Sequence, residues 1–214
     1  MPAPGMFIIA GPPGAGKSSA FPLNAFVDRF FNADDRAAEL NSGSYLEIPL
    51  EIRRIVNREF ESFVHGCIAR RESFAVETTL RSRITFEQAK RATSSGFRVL
   101  MTYVALDSFE HHLMRVLQRA RLGGHSASES TLRRIYQSSL TNLKTTLHPQ
   151  ESGIEMVRIY DNSVFRKEPR LVLESVRGRV VRLSPQFPEW TKAALGWDDS
   201  DLIKVRDGAS REAY

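Results

Sequence analysis

Apolar and polar residues along the chain fall into blocks whose period changes from element to element. Met6, Phe7, Ile8, Ile9 and Ala10 are apolar without a break, which predicts a short strand buried on both faces. Residues 26–32 read as a second strand, ending at Asp34 and Asp35. Over residues 49–71 apolar positions recur at helical spacing (Ile52, Ile55, Val56, Phe60, Phe63, Val64, Cys67), and Pro49 suits the first turn. Residues 74–76 predict a strand that ends at Glu77, Thr78 and Thr79. A helix over 84–95 is closed by Gly96 and followed by a strand over 98–106. Helices are expected over 108–122, ahead of Gly123 and Gly124, and over 128–147, stopped near Pro149. A strand over 156–160 ends at Asp161, Asn162 and Ser163; residues 171–183 form a hairpin turning at Arg177 and Gly178; a short helix covers 188–195. The polar stretch 198–214 is expected to be a loose tail. Strands alternating with helices predict a three-layer α/β fold: a mostly parallel central sheet, helices on both faces and a C-terminal hairpin, in one domain spanning 1–214.

The first strand runs directly into Gly11, Pro12, Pro13, Gly14, Ala15, Gly16, Lys17 and Ser18, which spell G-x-x-x-x-G-K-[ST]. Glycines let the backbone curl so that successive N–H groups point at phosphate oxygens. In such a loop the lysine reaches the β/γ-phosphates and the hydroxyl ligates Mg²⁺, which assigns those roles to Lys17 and Ser18. Ser19 lies beside them, and the helix expected after Lys17 adds its N-terminal dipole. Pro22 should shorten or distort that helix. The ligand implied is ATP or GTP with Mg²⁺. Ligands of open parallel sheets bind beyond the carboxyl ends of the strands. There the pattern gathers the phosphate loop, Asp34 and Asp35, Glu77, Thr78 and Thr79, and Asp161 and Asn162.

Charge narrows the partners only slightly. The 214 residues carry a net charge of +5, spread along the chain, which suits an anionic small molecule and gives no dense basic block for nucleic acid. Cys67 is the one cysteine and sits on the apolar side of its helical pattern, so it belongs to the core and forms no internal disulfide. No basic segment precedes the first apolar run and no stretch reaches membrane-spanning length, so a cytoplasmic protein with no membrane partner is expected. His111 and His112 are read as surface residues, and no zinc-like spacing occurs.

Six segments, in order, resemble the zeta-toxin family of P-loop small-molecule kinases. They are the stretch from Ile8 to Ser18; Phe31-Asn32-Ala33-Asp34; Glu72 to Leu80; Arg119 to His125; Thr141-Asn142-Leu143; and Ile159 to Ser163. The closest likeness is to the short bacterial branch often labelled a predicted ABC-type ATPase. The resemblance implies transfer of the ATP γ-phosphate to a hydroxyl of a small acceptor, for example a nucleotide sugar such as UDP-N-acetylglucosamine, and an antitoxin as a possible partner. It makes Asp34 the candidate general base, with Asp35 as the alternative. It places Glu77, Thr78 and Thr79 in the acceptor pocket; an ordinary strand-to-helix turn capped by threonine is the competing reading. It calls for lid arginines that neutralise the transferring phosphoryl group. Arg119 and Arg121 are chosen, with Arg134 in reserve; Arg115 shares a helical face with Arg119, and Arg121 lies off it. Asn162 matches the adenine-side loop, and His125 either touches phosphate or caps its loop.

Other classes remain open at this point. A nucleoside or polynucleotide kinase, a plain ATPase, or a non-catalytic nucleotide switch would share the same loop. A true ABC ATPase is disfavoured, because there is no L-S-G-G-Q-like signature and no apolar strand ending in Asp-Glu.

Overall fold

The first strand, β1 (Gly5–Ala10), is apolar throughout because both of its faces are covered. Met6, Ile8 and Ala10 enter the main core, while Phe7 and Ile9 pack on the opposite side of the sheet. The structure is a computed structural model that describes residues 2–45, 47–121 and 127–211, with side chains to Asp207. Seven strands form one sheet in the order β2-β3-β1-β4-β5-β6-β7, the remaining six being β2 (Phe30–Phe31), β3 (Phe74–Thr78), β4 (Arg98–Ala105), β5 (Met156–Asp161), β6 (Arg170–Val176) and β7 (Arg179–Leu183). The first five in chain order are mutually parallel. β6 and β7 add an antiparallel hairpin at one border. Its turn, Arg177-Gly178, places both residues at positive φ (51° and 81°), as a two-residue turn matched to strand twist requires.

Helices α3 (Leu50–Arg70), α4 (Ile84–Ser94), α6 (Glu129–Leu143) and α8 (Glu189–Leu195) supply Val64, Cys67, Phe86, Ala89, Leu143 and Trp190 to the main core. Burial of Cys67 agrees with the sequence reading. The opposite face is covered more lightly, by Leu23, Phe21, Phe26 and Val27. A third cluster joins α2 (Ala33–Leu40) to α3 through Ala37, Ile48 and Val56. A fourth joins α5 (Phe109–Arg121) to α6 through Phe109, Val116 and Leu132.

Three stretches of the secondary structure illustrate where the structure departs from expectation. The second strand shrinks to Phe30–Phe31, because Phe26 and Val27 owe their apolar character to packing on the sheet face beside Phe7 and Phe21, not to pairing within the sheet. The long helix near the C-terminal third stops at Leu143, and a 3-10 turn, Lys144–Leu147, leads into the one-turn α7 (Pro149–Ser152). The stretch expected as a tail forms α9 (Asp199–Arg211). There Asp198 Oδ1 accepts the Asp201 N–H at 3.0 Å while Asp201 Oδ2 accepts the Asp198 N–H at 3.1 Å, a reciprocal cap, and Leu202 is buried.

Strand order fixes where a ligand can enter. From β1 the chain passes to β2 and β3 on one side, then crosses to β4 and β5 on the other. The reversal falls at the carboxyl end of β1, where open parallel sheets have their crevice. The glycine-rich loop leaves the sheet at that point.

Candidate active site

The loop from Gly11 to Gly16 turns tightly over the end of β1. Gly11 donates its N–H to Thr78 O at 3.2 Å, and Ala15 donates to Pro12 O at 3.3 Å. Gly11, Pro12 and Ala15 therefore frame the loop from inside, whereas Pro13, Gly14, Gly16, Lys17, Ser18 and Ser19 line a cleft. Gly16 sits at φ 85°, and a Cβ there would lie 2.6 Å from Asn162 Nδ2, so only glycine fits. The helix that follows, α1 (Lys17–Ala20), is a single turn: Phe21 leaves helical geometry ahead of Pro22. The dipole expected behind the loop is that of four residues only.

Lys17 is buried. Its ammonium donates to Gly11 O at 3.0 Å and Pro12 O at 3.2 Å, and it pairs with Glu77 Oε1 at 3.6 Å. Ser18 donates its hydroxyl to Glu77 Oε2 at 2.8 Å. Glu77 thus turns its two oxygens to the two loop residues singled out for phosphate and metal. Hard oxygens close together at the mouth of a phosphate loop fit Mg²⁺, which binds through one or two protein oxygens plus phosphate and water. Thr78 closes the turn after β3: its Oγ1 accepts the Leu80 N–H at 3.1 Å and meets Thr85 Oγ1 at 3.4 Å. Thr79 lines the cleft one residue further on.

Asp34 and Asp35 occupy the first turn of α2, not the end of a strand. Asn32 caps that helix, its Oδ1 accepting the N–H groups of Asp34 at 3.0 Å and Asp35 at 3.4 Å. Geometry separates the two carboxylates. Asp34 is exposed and lines the cleft, whereas Asp35 Oδ1 accepts the Tyr45 hydroxyl at 2.9 Å and is not part of the cleft wall. Asp35 also holds the Tyr45 phenol above its usual pKa, chiefly through that hydrogen bond.

Arg115 and Arg119 reach the cleft from α5; Arg121 and Arg134 are exposed and not part of its lining. Arg115 Nη2 donates to Asn162 O at 2.8 Å, and burial lowers its pKa. Asn162, expected beside the base, spends its side-chain amide on the loop itself, donating to Ala15 O at 2.8 Å. His111 is exposed, as expected, but His112 is not on the surface. It is 2% exposed, because its ring lies between β4, the phosphate loop and Tyr136, whose ring centroid is 5.2 Å away. Burial, reinforced by Lys17 and Arg115, pushes its pKa down to about 4. The signal for this face was present in the spacing: His112, Arg115 and Arg119 fall at i, i+3 and i+7. His125 lies outside the described residues.

The cleft has a volume of about 1460 Å³, and Asp34, Arg53, Thr79, Arg81, Arg115 and Asn162 are among the residues that line it together with the phosphate loop. Single small-molecule pockets usually measure roughly 300–1,000 Å³, so this volume accommodates two ligands.

Sheet order, loop and cleft define an α/β fold of the P-loop kind, shared with two solved structures. No family model matches the chain. An uncharacterized protein of Haemophilus influenzae is 25% identical over 127 residues, 59% of this chain and 88% of its own length. The fold is similar to that of a chain from the PezAT chromosomal toxin–antitoxin system of Streptococcus pneumoniae, with a TM-score of 0.64, 15% identity, and coverage of 99% of this chain and 88% of that one. It is also similar to AvrRxo1-ORF1:-ORF2 solved with ATP, with a TM-score of 0.67, 15% identity, and coverage of 90% of this chain and 63% of that one. The chain thus spans slightly less than two thirds of that second relative. Among the described residues, no helix is long and apolar enough to cross a membrane.

Proposed function

We propose that this protein is a kinase that transfers the γ-phosphate of ATP to a hydroxyl of a small anionic acceptor, in the manner of a zeta toxin. The observation that carries the reading is that the phosphate loop and the uncommitted carboxylate of Asp34 face one cleft roomy enough for two ligands. The nucleotide lies with its phosphates in the loop, where Lys17 exchanges its carbonyl partners for phosphate oxygens. Ser18 and Glu77 would hold Mg²⁺, which would supply neutralisation of phosphate charge when bound.

Asp34 accepts the proton of the attacking hydroxyl, and Arg119 and Arg115, which line the same cleft, neutralise the transferring group. Thr79 and Arg81 line the same cleft as Asp34 and bind the acceptor, for which a nucleotide sugar such as UDP-N-acetylglucosamine is the candidate that the family resemblance suggests. Similarity of fold to a toxin–antitoxin chain and to a protein solved with ATP supports this reading, and with it an antitoxin partner.

The test is phosphate transfer from γ-labelled ATP by purified protein across a panel of nucleotide sugars, nucleosides and oligonucleotides, read by mass spectrometry. Asp34→Asn should bind ATP and transfer phosphate far more slowly, by about 10²–10⁴; Lys17→Ala should lose both binding and transfer. ATP hydrolysis without any phosphorylated acceptor would refute the proposal.

A further inference from the structure

We propose that His112 is the positioning residue that locks the phosphate loop to helix α5, so that the loop and the arginines on that helix meet the nucleotide as one rigid unit. The inference rests on the kinase reading above. His112 bridges two main-chain groups far apart in sequence: its Nδ1 lies 2.9 Å from Pro13 O, and its Nε2 lies 3.0 Å from the Leu106 N–H. A carbonyl only accepts and a backbone N–H only donates. The ring is therefore the neutral tautomer that carries its proton on Nδ1, donating to the loop and accepting from the end of β4.

Contact between helix and loop is close enough to be mechanical. A Cβ on Gly14, at φ 78°, would lie 2.5 Å from the carbonyl oxygen of His112 and 3.1 Å from Val116 Cγ2. Loop and helix thus lie too close for any side chain at position 14 to stand between them. A second tie lies one turn along the helix: Arg115 holds the Asn162 carbonyl, and the Asn162 amide holds Ala15 O. One limb of the loop is thus fastened through Pro13, the other through Ala15, and both fastenings end on α5. Preorganised N–H donors and cations stabilise a developing charge without reorganising at the moment of reaction. A ring that only filled space would need neither hydrogen bond, since phenylalanine occupies a similar volume.

Three variants of the full chain separate the two roles: His112→Asn, His112→Gln and His112→Phe, each checked for folding by circular dichroism and thermal melting. The amide nitrogen of asparagine can reach the position of Nδ1 and donate to Pro13 O; glutamine places its amide near Nε2; phenylalanine bonds neither. Titration with a fluorescent ATP analogue should show affinity weakened about tenfold in His112→Phe and His112→Gln and restored to within about threefold in His112→Asn. Arg115→Ala should cost a smaller factor in the His112→Phe background than in wild type, because the arginine is already misplaced. If His112→Phe does not fold, the asparagine–glutamine contrast carries the same information and the cycle is run in His112→Gln. Variants that melt lower but bind the analogue as wild type does would make His112 a packing residue and overturn the inference alone. So would an Arg115→Ala factor equal in both backgrounds, or an asparagine variant as weak as glutamine. A wild-type protein that binds no nucleotide would overturn the kinase reading, and this inference with it.

Discussion

Glu77→Gln tests the centre of the site, because one carboxylate is engaged by both Lys17 and Ser18. Glutamine keeps an acceptor for the Ser18 hydroxyl, now at 2.8 Å from Oε2, and removes only the charge. The Lys17–Glu77 separation of 3.6 Å gives a gross Coulomb attraction of about 4–5 kcal/mol at an effective dielectric constant near 20. Both side chains are largely withdrawn from water, and the variant leaves the Lys17 charge buried without its partner, a net loss of about 3–5 kcal/mol. For a chain of this length that corresponds to a thermal midpoint lower by roughly 6–20 °C. Ligand binding should respond with the opposite sign. Glu77 is a negative charge beside the place proposed for the phosphates, so the variant should bind metal-free ATP several-fold more tightly, on the order of 1 kcal/mol. With Mg²⁺ present the order should invert. Scanning calorimetry and titration calorimetry with and without EDTA read these effects. A variant that melts at or above wild type, with ATP affinity unchanged in both conditions, would mean that Glu77 does not serve the phosphate loop, and the acceptor role suggested by resemblance would take its place.

Asp34→Asn should lower phosphate transfer by about 10²–10⁴ while leaving ATP affinity within a factor of about two; an equal loss of both would remove Asp34 from the role of base. Asp35→Asn and Tyr45→Phe each weaken the bond that ties the α2–α3 connection to helix α2, and transfer rates should stay within about threefold of wild type. Glu174 accepts both Nε and Nη2 of Arg158 on one oxygen, at 3.1 and 3.0 Å, directly across the β5–β6 pair. Glu174→Ala should cost about 2 kcal/mol in urea unfolding without altering nucleotide affinity. The pKa of His112 is pushed down to about 4 in the folded protein, below its ordinary value in the unfolded chain, so the unfolded state binds the extra proton first. Its contribution is present above about pH 6.5 and is lost as pH falls toward 4, by up to about 3 kcal/mol. Urea midpoints between pH 7 and 4.5 should fall more steeply in wild type than in His112→Asn.

The fold was legible where periodicity and burial agree. The phosphate loop, the parallel strands and the terminal hairpin follow from continuous apolar runs punctuated by glycine, and Arg177-Gly178 marked its turn correctly. Phe26 and Val27 misled because an apolar pair packed on a sheet face carries the same signature as one paired within the sheet. Asp198 and Asp201 went unread as a cap because polarity was weighed ahead of their three-residue spacing. Motif and resemblance singled out Lys17, Ser18, Glu77 and Asp34 as candidates, but not that Glu77 contacts both Lys17 and Ser18. His112 was missed because a histidine next to a second histidine on a charged helix looks solvated; only the packing of Gly14 against the same helix brings it inside.

The two borders of the sheet govern how the protein behaves when crowded with copies of itself. One border strand, Phe30–Phe31, is too short to template a foreign strand. The other carries Arg179 and Arg182 and lies against the C-terminal helix. Each guards against edge-to-edge growth by a different device, brevity on one side and cationic cover on the other. Trimming the chain before Asp199 would uncover the second border, and turbidity on concentration is where that loss should first be seen.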